Sequence, residues 1–192
     1  LNHYETMVHL LSQLVEHGYT RIALIAGPGH FSCEQEYDSA YRDFFHEHGI
    51  SIDENLIRHI NMTNEEAFRT GISLFQDFTP QAVISTSCIM TNGLEQAAYL
   101  AGISLRDDIV MVSIGQETMS GFQKDNHVMV TMRPANYLGG KAARLLLNNI
   151  DRPLLFEKQQ IMIRDKIIGK NLFEPPKTSA IPRKTGDKRL RV

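Results

Sequence analysis

Two cysteines, Cys33 and Cys88, are too few to build a disulfide framework. No positively charged segment followed by an apolar stretch opens the sequence, so nothing in it directs secretion, and the expected compartment is a reducing cytoplasm. No apolar run approaches the roughly 18 residues needed to span a bilayer, so no membrane partner is expected. The 13 glycines and 7 prolines gather into no tract, which excludes a fibrous or wholly disordered chain. Metal-ligand spacing is missing too. His46 and His48 stand two apart on a helical stretch and point to different faces, and no histidine pair accompanies a cysteine pair at zinc spacing, so neither a metal nor a cofactor is expected.

What is present is an ordinary globular composition: 192 residues, 42 % hydrophobic and 22 % charged, enough for one domain or one domain with part of a second. The net charge of −2 conceals an asymmetry. Six basic residues (Lys177, Arg183, Lys184, Lys188, Arg189, Arg191) and Asp187 fall in the last 16 positions, which leaves 14 Lys/Arg and 21 Asp/Glu before them. A body this acidic is a poor match for a phosphate backbone, so residues 1–176 are not expected to bind nucleic acid directly. The basic stretch 174–192 is expected to be a solvated, disordered tail.

Periodicity supplies the architecture. Tyr4, Met7, Val8, Leu11, Leu14 and Val15 recur at helical spacing until Gly18. Arg21–Ile25 reads as a buried parallel strand emptying into Gly27-Pro28-Gly29-His30. A helix over Glu34–His48, a strand over Leu56–Ile60 and a helix over Asn64–Gln76 follow, the last announced by a Thr63/Glu66 capping box. Then come a strand at Gln81–Ser85, a helix at Met90–Leu100 and strands at Ile109–Val112 and Val128–Met132. The helix Asn136–Asn149 and extended segments over 155–163 and 166–170 complete the pattern. Such alternation predicts α/β architecture: a doubly wound, mainly parallel sheet with helices on both faces.

In an open parallel sheet ligands bind beyond the carboxyl ends of the strands, which places four loops on one rim: 27–33, 61–64, 86–90 and 115–119. They hold His30, Ser32, Cys33, Met62, Thr63, Ser87, Cys88, Gln116 and Glu117. Hydrogen bonding and apolar contact are available there, but reaction machinery is not. Gly27-Pro-Gly29 has neither the full phosphate-loop spacing nor a third glycine, and reads as a strand-to-helix turn. Glu117 has no carboxylate partner for acid/base work. Only the fold could bring Cys33 or Cys88 to a base such as His30 or His59, so a cysteine-dependent α/β enzyme stands as an alternative against the reading of both cysteines as core residues.

The order of segments resembles the LacI/GalR-type transcriptional regulators. Leu14-Val-Glu-His-Gly18-Tyr-Thr-Arg21-Ile-Ala-Leu-Ile-Ala-Gly-Pro28 is similar to the stretch that enters the second lobe of their effector domain. Pro80-Gln-Ala-Val-Ile84 with Ile89-Met90-x-x-Gly93, Leu105-Arg-Asp-Asp108-Ile-Val-Met-Val112, and Val130-Thr-Met-Arg133-Pro134 with Gly139 or Gly140, Ala142 and Leu145-Leu-Leu147 resemble three further family segments in the right order.

The resemblance implies that residues 1–173 are part of a periplasmic-binding-protein-like effector domain. It comprises the second lobe plus helices 3–18 and 136–149, which would cover the first lobe, itself largely missing. Those two helices are then expected to leave an apolar patch bare. It further implies a homodimer that contacts operator DNA only through an absent N-terminal helix-turn-helix and senses a small-molecule effector. By position, Tyr37 stands for a ligand-binding arginine and Met62 for a packing aromatic. Ser87 and Cys88 replace an Asn-Asp pair, and Gln116 replaces an aspartate. Charged groups give way to neutral ones throughout, so the expected effector is neutral, sugar-like or less polar. A solute-binding protein feeding a transporter is the other alternative.

Overall fold

The computed structural model describes residues 2–105, 107–115, 128–131, 135–151, 161 and 166–168. The tail 174–192 and Gln116 lie outside them, as does the predicted extended segment 155–163 apart from residue 161.

Helix α1 (His3–Glu16) starts where the Asn2 side chain accepts from the Glu5 amide and stops at Gly18, whose φ of +88° reverses the chain at no steric cost. Strand β1 (Ile22–Ala26) is buried along its whole length. Helix α2 (Ser32–Glu47) ends like α1, on a His-Gly pair: His48 Nδ1 lies 2.8 Å from the Phe44 carbonyl and Gly49 turns at φ +64°. A 3-10 turn at Glu54–Leu56 leads into β2 (Ile57–His59), so the predicted strand loses its first residue to the turn. Helix α3 (Asn64–Asp77), β3 (Ala82–Ser85), α4 (Cys88–Leu100) and β4 (Val110–Gly115) follow, then β5 (Val128–Thr131), α5 (Ala135–Asp151) and β6 (Lys166–Ile168).

Among the described residues the strands form one sheet of order β2-β1-β3-β4-β5-β6, parallel except for the antiparallel β5–β6 pair. One register row crosses it: Ile57, Leu24, Ile84, Val112 and Val128. Because β1 pairs with β2 on one side and with β3 on the other, the connections leave it in opposite directions. The crevice at the topological switch point therefore opens between the loops that follow β1 and β3.

Strand alternation sorts the core into two layers, as a doubly wound sheet requires. Ile22, Leu24, Ala26, Ala82, Ile84, Val110, Val112 and Ile114 face α1 and α2, while Ala23, Ile25, Val83 and Met111 face α3 and α4.

The structure corrects one expectation. Met7, Leu10, Leu11 and Leu14 of α1 are fully buried in the same layer as Tyr41, Phe44 and Phe45 of α2, so α1 covers this lobe's own sheet. Its i, i+3, i+4, i+7 stripe needs an apolar floor, and Ile22, Leu24 and Ala26 of β1 supply one. Helix α5 differs: Tyr137, Leu146, Leu147 and Ile150 are exposed.

Candidate functional site at the sheet's switch point

Helices α2, α3 and α4 begin at the carboxyl rim of the sheet, each positioned differently. Thr63 caps α3 by accepting from the Glu66 amide at 3.3 Å, and Glu66 reaches back past Thr63 to accept from the Asn61 amide at 3.1 Å. This reciprocal pair fixes the backbone on both sides of Met62. Ser87 caps α4 through the Ile89 amide. Beneath it lies a buried hydroxyl relay. The Ser87 carbonyl accepts from the Thr91 amide, the Thr91 hydroxyl and the Ser85 hydroxyl, at 3.0, 3.0 and 2.9 Å. Since the single Thr91 hydroxyl proton is spent on that carbonyl, Ser113 is the donor in the 2.8 Å Thr91–Ser113 bond. The relay ties α4 to β3 and β4 and explains two serines in otherwise apolar strands.

The third start, that of α2, holds the residue that sequence reasoning missed. Glu34 is 1 % exposed. Its Oε2 accepts from the Gly27 amide at 2.7 Å and from the Thr86 hydroxyl at 2.7 Å, and the Gly27 amide also points at Thr86 Oγ1, 3.2 Å away. Its carboxylate thus stitches the β1 loop to the β3 loop across the switch-point crevice, in the first turn of a helix whose N-terminus favours negative charge. Burial raises the Cys33 thiol above its ordinary range and the neighbouring Glu34 charge adds to this, with Sγ donating weakly to Glu34 Oε1 at 3.7 Å. A buried glutamate on a helix is rare enough that no sequence signal marked it; only the fold brings Gly27 and Thr86 to it.

Glycine brings neighbouring side chains close to the backbone at two places on the rim. A Cβ on Gly27 would collide with the Met62 methyl, which therefore lies directly over the β1 loop, and would stand 3.1 Å from Glu34 Cδ. One on Gly115 would fall 2.9 Å from Cys88 Cβ. Cys88, 7 % exposed, is packed against the end of β4.

The predicted site residues thus divide. Met62 and Ser87 are half-buried at the rim, Cys88 lies just beneath it, and Gln116 is outside the described residues. Tyr37 is 2 % exposed: its ring belongs to the α1/α2 layer and its hydroxyl meets His3 Nδ1 at 2.9 Å, with the two rings edge to face. Tyr37 therefore backs His3, at the start of α1. On the outer side of α2, His59 Nδ1 faces the Gly27 carbonyl at 3.1 Å and its Nε2 faces Asp38 Oδ1 at 3.5 Å, while Arg42 binds Asp38 and, with both amino groups, Glu54. The Glu54 carboxyl is held below its ordinary range by that Arg42 fork.

Among the described residues no group of three His, Cys, Asp or Glu could hold a metal, and no helix is long and apolar enough to cross a membrane. The loops 27–31, 61–63 and 86–87 carry no Lys or Arg.

Comparison with known proteins fits this geometry. Residues 11–169 match the family of the periplasmic binding protein-like domain. The HTH-type transcriptional regulator AglR of Rhizobium meliloti (strain 1021) is 24 % identical over 173 residues, which is 88 % of this chain and 48 % of that protein. The chain thus spans about half the length of the curated relatives it matches. Transcription regulator CcpA of Lactococcus lactis superposes with a TM-score of 0.75 at 20 % identity, over 88 % of this chain and 61 % of the other. The CelR–cellobiose complex does so with 0.74 at 21 %, over 88 % and 51 %. These relatives are transcriptional regulators, as the four-segment resemblance implies. With a sheet wound both ways, its rim loops at the switch point and the family pattern running through most of its length, this chain belongs to the periplasmic binding protein-like domain family.

Proposed function

We propose that the chain is the ligand-sensing and dimerising part of a LacI-type transcriptional regulator: a cytoplasmic homodimer, without catalysis, whose contact with operator DNA is made by a separate helix-turn-helix. The observation that carries this reading is the family match over residues 11–169, joined to a regulator relative covering 88 % of the chain. The electrostatics of the rim support it. Its described loops hold no cation, and its one buried carboxylate is already committed to Gly27 and Thr86, which suits a neutral, sugar-like ligand better than an ionic one.

Such a ligand would meet Met62 and Ser87, with His3 and the Tyr37 behind it at one edge and Cys88 and Gln116 at the other. Residues 1–173 would form the partial effector domain and 174–192 a basic tail. The exposed Leu146, Leu147 and Ile150 of α5 would face the domain's first lobe. Ligand binding between lobes would act by favouring one lobe arrangement, to the extent that its affinity for the two differs. Two features weigh against thiol catalysis: Cys88 is buried against Gly115, and the Cys33 thiol is pushed up, away from thiolate.

A panel of neutral mono- and disaccharides, ribose and cellobiose among them, tests the reading by thermal shift and calorimetry. The expected result is a saturable stabilisation by at least one sugar that a Met62→Ala/Ser87→Ala variant loses. Stabilisation that survives the double substitution, or none across the panel, would sink it. Sedimentation equilibrium is expected to give a dimer.

A further inference from the structure

One side chain at the edge of the sheet meets two acceptors at once. His59, the last residue of β2, points Nδ1 at the Gly27 carbonyl, 3.1 Å away, and Nε2 at Asp38 Oδ1, 3.5 Å away. A neutral imidazole carries one N–H and one lone pair, so it can donate to the carbonyl or to the carboxylate, but not to both. In either tautomer its bare nitrogen faces an oxygen lone pair, an arrangement that repels. Only the imidazolium, with a proton on each nitrogen, satisfies both acceptors.

The surroundings keep those acceptors from turning elsewhere. Asp38 Oδ1 is shielded from solvent and has no hydrogen-bond partner among the described residues, which leaves it in need of a donor. Its twin Oδ2 accepts from Arg42 Nε at 3.0 Å, which fixes the plane of the carboxylate, and both Arg42 amino groups are held by Glu54. Asp38, Arg42 and Glu54 together carry one negative charge, which an imidazolium cancels. The other charged groups nearby are engaged. Arg58, the neighbour on β2, donates to the Glu54 and Ile57 carbonyls and lies over the Phe78 ring, and Asp53 pairs with Arg21. Strand β1 has no titratable side chain, and on its loop His30 packs against Phe31 while Glu34 holds the Gly27 amide. Gly27 is thus gripped on both sides, its amide by Glu34 and Thr86 toward β3 and its carbonyl by His59 toward α2.

We infer that His59 is a proton-operated clasp: protonated, it ties the β1 loop to α2 through the Gly27 carbonyl and the Asp38 carboxylate, and on losing its proton it releases one of the two. The stiffness of the β1 loop then follows proton concentration. The device needs no ligand and is independent of what occupies the rim.

Native-state hydrogen exchange, followed by NMR on the whole chain from about pH 5.5 to 8.5 and corrected for intrinsic base catalysis, reads the clasp at the Gly27 amide. The amide of Leu24, in the middle of β1, reports global opening and serves as the reference. Gly27 protection relative to Leu24 is expected to fall about tenfold as pH rises, the scale of one charge-assisted hydrogen bond. The fall should coincide with the titration of the His59 ring Cε1 proton. Asp38→Asn is expected to abolish the response, because the asparagine amide can donate to the unprotonated ring nitrogen. His59→Gln, which has nothing to titrate, should abolish it too. Gly27 protection that is independent of pH in the unaltered chain, or that changes at a pH other than that of the His59 ring, would overturn the clasp. So would a response that persists in either variant. Coincidence of the two curves in the unaltered chain decides the matter even where a variant fails to fold.

Discussion

The two faces of the sheet are covered by different means. On the α1/α2 side the layer is filled with bulk: Tyr37, Tyr41, Phe44 and Phe45 lie over Ile22, Leu24, Ile84 and Val112, with Tyr41 and Phe45 stacked at 4.4 Å. On the α3/α4 side the helices approach through small residues. A Cβ on Gly71 would sit 2.7 Å from Ala97 Cβ, and one on Gly93 would strike the Asn64 carbonyl and stand 2.6 Å from the Phe68 amide nitrogen. The aromatic side resists the loss of atoms poorly; the small-residue side has no room to gain one. That contrast also bears on the rim, because α2 brings Phe31 and Glu34 from the bulky side, whereas α3 and α4 bring Met62 and Ser87 from the tight side.

Four variants sharpen or break the contrast. Phe45→Ala should have the largest effect, about 3–5 kcal/mol in chemical denaturation, since it opens a cavity between the Tyr41 and Phe44 rings. A loss no greater than that of an exposed truncation would show that the layer collapses to fill the gap. Gly93→Ala comes next, at about 1–3 kcal/mol, because the atoms it meets belong to the α3 backbone and cannot rotate away. Neutral behaviour there would mean that α3 slides freely on α4.

Tyr41→Phe removes only the 2.7 Å bond from the hydroxyl to the Ile22 carbonyl and should cost about 1 kcal/mol, with the ring stack intact. The last contrast is read on the tight side as a pH dependence, at Glu95, whose carboxyl is pushed up to about 7 by burial. Its folded-state value lies above the ordinary one, so the penalty for burying its charge is absent at acid pH, grows as pH rises through the ordinary carboxyl range, and is complete above about 7. Stability should therefore fall over that window, and Glu95→Gln should flatten the profile. A parallel profile in the variant would assign the slope to other groups.

Most of the fold was legible because it rests on two periods that side-chain chemistry writes directly. Strands buried on both faces read as unbroken apolar runs, and amphipathic helices stop at glycine. The differences have local causes. Helix α2 begins at Ser32, two residues before the expected Glu34, because Phe31 gives no capping signal, and α4 begins at Cys88 because Ser87, expected at the ligand, is its cap. Strand β4 continues through Ser113, whose polarity hid it and whose hydroxyl is spent on Thr91. The site was less legible. Met62 and Ser87 stand at the rim, where loop position alone puts them. Tyr37 follows helical spacing into the core instead, and the burial of Glu34 depends on Gly27 and Thr86, 7 and 52 residues away in sequence.

Glu34 also has a mechanical consequence. Where two loops flank a crevice, their separation is usually free to follow whatever enters it. Here a side chain of the protein itself acts as the spacer, so the gap between the β1 and β3 loops is set before any guest arrives. On the proposed reading, this half of the binding cleft behaves as a fixed jaw, and the motion that reports a bound ligand belongs to the opposing jaw closing on it.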